Sequence, residues 1–298
     1  GVDIGLGHIR NSVMSRENTF VQTFHYRLHY HVTNDEVVRQ CADHYRLRTL
    51  TAAHDPWADA RPKLDGPMAD LLGNKLDKIA VLHFRVGTGN AGVAIPPENL
   101  LPSLEYLADN GYTLVKAGTE PAPDEFNRFN IINYSATPLR SFKNDLALLS
   151  NAKFCMINAS GLENIADVMG VPTVSYARWH LSMFPYSPKT IIVPALMYDP
   201  ARDRMLTFGE QMLLFKTMPE YWESKNFVWH VPIDRFKVIP PRADELLAAT
   251  KEALELGAGP KPWSQLQQRF RALDGSGLLS TAEARVSQFF LERFQSHL

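Results

Sequence analysis

From Lys78 onward the chain alternates short, nearly continuous apolar runs with longer stretches whose apolar residues recur at helical spacing. "KIAVLHFRV" reads as a buried strand. In "PENLLPSLEYLADNG", Leu100, Leu101, Leu104 and Leu107 share one helical face, and Gly111 follows the end. "YTLVKAG" predicts the next strand, then a Pro-rich loop, and "NIINYS" a short strand. "SFKNDLALLSNA" predicts a helix with Ser141 and Asp145 near its start. "KFCMINAS" predicts a strand, "GLENIADVMG" a helix, "VPTVSYA" a strand, and "KTIIVPALMY" continues the pattern. From Ala243 the periodicity is helical through "ADELLAATKEALELG", "SQLQQRFRALDG" and "STAEARVSQFFLERFQSHL", with Asp244 or Ser264 placed to cap.

This strand–helix rhythm predicts an α/β fold: a Rossmann-like, doubly wound parallel sheet with right-handed crossovers and a helical C-terminal tail. The first part of the chain is different. "GVDIGLGH" suggests a strand-to-helix loop, and residues Asn11 to Tyr45 show no clean period. "HDPWADARPKLDG", residues 54–66, reads as a linker. The expected division is 1–75, a reduced or truncated N-terminal region; 76–240, the Rossmann-like domain; and 241–298, a helical segment. The chain begins at Gly1 rather than Met, which reads as a fragment or a processed product.

Composition narrows the function classes. The 298 residues carry 31 Lys and Arg against 32 Asp and Glu, so the basic excess of a general nucleic-acid binder is missing. The two cysteines, Cys41 and Cys155, have no partner at metal-ligand spacing, and a reducing compartment is the default. No apolar run reaches membrane-spanning length, and no signal peptide is visible. His25, His29, His31 and His44 crowd one region. Without a supporting Cys or carboxylate pattern, a surface near a ligand is favoured over a metal cluster.

In an open parallel sheet, ligands bind at the carboxyl ends of the strands. Three such ends carry polar residues. In "HFRVGTGNAG", alternation puts His83 and Arg85 on one face; Gly87, Gly89 and Gly92 permit close backbone approach. Arg offers a planar fork matched to phosphate oxygens, although an Arg paired to a nearby carboxylate would look the same. Lys116 ends the second strand, either near that anion or as a solvated loop lysine. In "NASGLENIADVMG", the strand ends at Asn158, and Ser160 and Gly161 open a helix whose first N–H groups suit an anion. Ser160 with Glu163 also reads as a capping box. There is no G-x-x-x-x-G-K-[ST] motif and no G-x-S-x-G, and "GVDIGLGHIR" is a poor G-x-G-x-x-G because Arg10 holds the third glycine position. A nucleotide or sugar phosphate in a strand-end cleft is the common thread.

"VLHFRVGTGN", "LLPSLEYLADNGYTLVKAG" and "SFKNDLALLSNAKFCMINASGLENIADVMGVPTVSY" together resemble a family of bacterial glycosyltransferases with the two-Rossmann-domain architecture called GT-B. "VSQFFLERF" resembles the end of that family, and "GLGHIR" resembles the Gly-rich first loop of a GT-B N-terminal domain. The H-x-R strand end with a later S-G-L helix start is similar to fucosyltransferase-like enzymes, in which the Arg holds the donor diphosphate. The clear resemblance runs from residue 77 to the end.

The resemblance implies that Arg85, with His83, binds the donor phosphates, and that Ser160 and Gly161 present helix N–H groups to the diphosphate or sugar. It implies a sugar or ribose hydroxyl for Glu163, a contact role for Asn158, and His8 as the base on the acceptor side. It further implies a nucleotide-sugar donor, a glycan acceptor, no cofactor, and a cytoplasmic setting at or near the inner membrane, in surface-polysaccharide assembly. No D-x-D pair sits at a strand end, and "DPARDR" reads as a loop, so no essential metal is expected. A full N-terminal domain of that architecture is much longer than the stretch before residue 76. Two rivals remain: a non-catalytic scaffold that binds a protein partner or a second copy, and a nucleotide-sugar epimerase or hydrolase.

Overall fold

The computed structural model describes residues 62–298 apart from 74, 86–92, 121, 159, 180, 182–183, 186, 218–231, 275–278 and 280–281. The expectations for His8, Gly87, Gly89, Gly92 and the histidines before residue 50 lie outside the described residues.

The sheet is built from β1 (Ile79–His83), β2 (Thr113–Lys116), β3 (Phe154–Asn158), β4 (Thr173–Arg178) and β5 (Thr190–Pro194). Its order is β2-β1-β3-β4-β5, and every pairing is parallel. The helices between these strands are α1 (Pro67–Leu71), before β1; α2 (Leu101–Asp109), between β1 and β2; α3 (Phe142–Asn151), before β3; and α4 (Gly161–Val168), before β4. The chain then turns at Ala195 into β6 (Leu196–Asp199), which pairs antiparallel with β7 (Arg204–Met205) and β8 (Lys237–Ile239) in a small second sheet. α5 (Phe208–Thr217), α6 (Ala243–Ala258), α7 (Gln265–Ala272), β9 (Arg285–Val286) and α8 (Gln288–Arg293) complete the described elements.

Strand alternation divides the core between the two sheet faces. Ile79, Val81, Cys155 and Ile157 pack with Leu148, Leu149 and Ala166 of α3 and α4. Ala80, Leu82, Phe154 and Met156 face the opposite core, with Leu104 of α2 and Leu246, Ala249 and Ala253 of α6. This two-sided burial explains why the strands read as continuous apolar runs. Gly111 closes α2 at φ 76°, a backbone region that glycine enters without strain. Ser141 accepts a hydrogen bond from the Asn144 N–H at 3.2 Å and starts α3.

Three expectations need correction. "NIINYS" forms a single parallel bridge from Ile132 to Val115, and Tyr134–Ala136 is a 3-10 turn rather than strand. Tyr134 is instead buried in the core, its hydroxyl bonded with both the Ser141 carbonyl and the Ser141 N–H. The region after residue 241 is helix-rich as expected, and the correction is confined to Arg285–Val286, which adds a sixth parallel strand beside β5; α6 packs on β4 and β5. Asp244 does not cap α6, whose cap is Arg242, whereas Ser264 caps α7 in a capping box with Gln267. Asp244 and Glu245 bind Arg293, tying α8 to the start of α6.

Near the end of α6, a Cβ placed on Gly257 would lie 2.6 Å from Cγ of Pro172. Alanine is intrinsically better in a helix by about 1 kcal/mol, but overpacking a rigid ring costs about 1–3 kcal/mol. Gly257→Ala is therefore expected to lower stability by about 1 kcal/mol in urea denaturation; a gain in stability would mean that the turn at Pro172 yields.

Candidate functional site

The strand order reverses between β1 and β3: the chain leaves β1 for the β2 side, then returns to lay β3 on the other side. In an open α/β sheet, ligand crevices form at the carboxyl ends of the strands flanking such a reversal. His83 ends β1 and Asn158 ends β3, so the residues selected from the sequence meet at this point.

On the β1–β2 side, His83 is 5% exposed, and its Nε2 lies 3.8 Å from Oε2 of Glu120. Nη1 of Arg85 lies 4.0 Å from Oε1 of the same carboxylate. Both the Arg85 and Glu120 side chains are about one-quarter exposed (24% and 25%). Glu120 follows Gly118, whose φ of +89° turns the chain after β2. A Cβ at Gly118 would lie 2.5 Å from Cδ2 of His83, so only glycine lets this loop pass the imidazole. Lys116 is fully buried; its Nζ donates to Oγ of Ser135 at 2.9 Å and sits 5.6 Å from the centre of the Phe84 ring. Ser135 in turn donates to Oδ1 of Asn133 at 2.6 Å.

On the β3–α4 side, Nδ2 of Asn158 donates to the Val93 carbonyl at 2.9 Å, while its Oδ1 is buried and has no hydrogen-bond partner. Oγ of Ser160 is also buried without a partner. Ser160 is the N-cap of α4, in extended conformation, but its side chain makes no cap bond, so the expected capping box does not form. Glu163 turns instead to Arg178, whose guanidinium takes its Oε2 in a buried ion pair. Arg178 reaches that position through a bulge in β4 at Ala177, where φ is +54° and the register slips between Tyr176 and Arg178. Bulges re-aim side chains in this way. Oε1 of Glu163 is left without a partner. The Tyr176 hydroxyl crosses behind β3 and donates to the His83 carbonyl at 2.8 Å, fixing the end of β1.

Electrostatics separates the basic groups. Burial outweighs the attraction of Glu120 and pushes His83 down to about 4, so it is neutral at pH 7; Arg85 and Lys116 push in the same direction. Burial also pulls Lys116 down to about 8, opposed by Glu120. Burial works to raise Glu120, but main-chain hydrogen bonds and the neighbouring His83 and Arg85 side chains, of which Arg85 carries the charge at pH 7, hold it below the ordinary carboxylate range. The positive charge at this end of β1 and β2 therefore rests on Arg85 and Lys116, with Glu120 against it.

His83, Arg85 and Lys116 thus lie at or just beyond the carboxyl ends of β1 and β2, with the Lys116 side chain on the sheet face opposite to His83, and Asn158, Ser160, Gly161 and Glu163 lie at the junction of β3 and α4. Sequence reasoning passed over Glu120, Arg178, Tyr176 and Gly118. Arg178 ends a strand, much as Arg85 lies just beyond one, and could have been found by the same rule; Glu120 sits in a Pro-rich loop that offers no such signal. Among the described residues, no group of three or more His, Cys, Asp or Glu side chains is placed to hold a metal ion. No described helix is long and apolar enough to cross a membrane.

No family model matches the sequence, and no curated protein matches it. The resemblance to GT-B glycosyltransferases therefore stands without a matching family model. Among solved structures, the E. coli heptosyltransferase WaaC with ADP aligns at 17% identity and a TM-score of 0.30, covering 63% of this chain and 55% of that one.

Free His83 takes up a proton near pH 6.5, whereas the folded one does so near 4. Between those values the unfolded chain binds more protons, so stability falls as pH drops through the window and is unaffected above it. The full penalty near pH 4 is about 3 kcal/mol. His83→Gln is expected to flatten the loss of stability between pH 6.5 and 4.5 in urea titrations. An unchanged slope would show that His83 is not held neutral.

Proposed function

We propose that the crevice between β1 and β3 binds the diphosphate of a nucleotide-sugar donor, and that the protein is a metal-independent glycosyltransferase acting on a glycan or other hydroxyl acceptor. One observation carries this reading: two cationic side chains and several buried polar atoms without partners converge on the reversal point of a parallel sheet. Buried polar atoms left unpaired are costly, and a ligand that pairs them recovers that cost.

In the proposed reaction the acceptor oxygen attacks the anomeric carbon and the bond to the diphosphate breaks. Negative charge then grows on the leaving diphosphate. Arg85 and Lys116 would stabilise that charge, together with the N–H groups of Gly161 and its neighbours at the start of α4. The Ser160 hydroxyl would donate to the diphosphate, while Oδ1 of Asn158 and the second carboxylate oxygen of Glu163, which only accept, would each take a sugar or ribose hydroxyl. His83, neutral at working pH, would act as a hydrogen-bonding group rather than as a charge. The proton of the acceptor would go to a general base, a role this reading gives to His8. Assembly of bacterial surface glycans on the cytoplasmic face is the setting that belongs with it.

A second reading is favoured by the pairing of Arg85 with Glu120, which lets the cluster exist without any ligand. On that view the chain is a scaffold that keeps a Rossmann-like unit and binds a protein partner.

Thermal unfolding with GDP, UDP, ADP, CMP and TDP separates the two. A ligand bound only by the native state raises its melting temperature. The expected result is a rise with one nucleoside diphosphate that disappears in Arg85→Ala, while the melting temperature without ligand stays within a few degrees of the parent. Absence of any rise would favour the scaffold, and consumption of donor without an acceptor would favour a hydrolase or epimerase.

A further inference from the structure

The loop after β2 places a carboxylate where an anionic ligand of this crevice would go. Glu120 faces Nε2 of His83 at 3.8 Å and Nη1 of Arg85 at 4.0 Å. Neither distance is a hydrogen bond, so the carboxylate meets His83 and Arg85 at longer range, while main-chain N–H groups of its own loop hold it. Its side-chain partner is Oγ1 of Thr119, at 3.4 Å on the neighbouring residue of the same loop. The loop is pinned at Gly118 by its close approach to the His83 ring, so Glu120 stays near the crevice even when its side chain rotates. The Glu163–Arg178 pair, by contrast, is buried and direct, and is not available for exchange.

We propose that Glu120 is the specificity-determining residue of the crevice: an internal counter-ion to Arg85 that an entering anion must displace, so that diphosphate is accepted and monophosphate is discriminated against. The inference rests on the reading of this crevice as an anion site. With His83 neutral, Arg85 and Lys116 oppose Glu120 and leave one net positive charge. A monophosphate, carrying up to two charges on one phosphorus, gains contact with Arg85 only by competing with Glu120 for it. A diphosphate has a second phosphoryl group that would reach past this pair to the N–H groups at the start of α4 and to the Ser160 hydroxyl, which can donate to it, and so compensate for the displacement. The carboxylate acts on the ligand through the charge it places beside Arg85.

The test compares wild type, Glu120→Gln and Arg85→Ala by calorimetric titration with inorganic pyrophosphate and with inorganic phosphate. Glutamine keeps the shape and removes the charge. The expected result is that wild type prefers pyrophosphate, and that Glu120→Gln tightens phosphate by about tenfold, as removal of a partly screened charge some 4 Å away requires. Pyrophosphate should change less, so the preference shrinks, and Arg85→Ala should weaken both. Equal affinities in wild type and Glu120→Gln would overturn the proposal while leaving the anion site intact, provided that Arg85→Ala still loses binding. Weaker binding in Glu120→Gln would also overturn it, because Glu120 would then be orienting Arg85. No binding of either anion by any of the three proteins would remove the anion site itself, and the proposal with it. Thermal unfolding without ligand confirms that each variant is folded.

Discussion

A parallel sheet covered on both faces leaves its chemistry only one place to go. Residues 79–82 and 154–157 are enclosed by α3 and α4 on one side and by α2 and α6 on the other. Polar side chains within those strands would be stranded in apolar surroundings. The strand ends escape that constraint, because there the helices fall away and the loops begin. His83, Lys116, Asn158 and Arg178 are the last residues of β1, β2, β3 and β4. Each is enclosed, but each lies at the margin of the core, where a partner can be found. The cluster of polar strand ends is therefore a consequence of covering the sheet, and its position is set by the strand order.

Within the crevice, two groups are settled and two are not. Arg178 and Glu163 neutralise each other in a buried pair, which fixes the start of α4 against the end of β4. The Tyr176 hydroxyl holds the His83 carbonyl and brings β4 into register with β1 across the intervening strand. These contacts make a rigid floor. Arg85 and Glu120 form the more open part, at longer range and with partial exposure. The same division explains the two pKa depressions: His83 and Lys116 belong to the floor, where burial disfavours charge.

The fold was legible because its main strands are buried on both faces, so each appears as an apolar run, and its helices carry one-sided stripes. The crevice was legible in part because strand-end rules need only the strand and the few residues just beyond it. The failures depended on distant residues. Ser160 and Glu163 are spaced as a capping box, and nothing local reveals that Arg178, 15 residues on, takes the carboxylate. "NIINYS" has strand composition, yet Tyr134 is drawn into the core and the run bends after one bridge. β9 is two residues long and pairs with a strand more than 90 positions earlier, so no local period marks it. Glu120 has no motif at all, and only the turn at Gly118 brings it to Arg85.

The pairing of Arg285–Val286 with Ile191–Ile192 joins β5 to β9 across the longest stretch of chain in the main sheet. Every other pairing of the main sheet lies within residues 79–194, but the outer edge of β5 is covered by a strand more than 90 positions further on. Bare strand edges recruit other chains. α6 packs over β5, so it shields the face of that strand but not its hydrogen-bonding edge. The pairing of the main sheet that spans the greatest distance along the chain is thus also the one that covers an edge of β5 which would otherwise stay open.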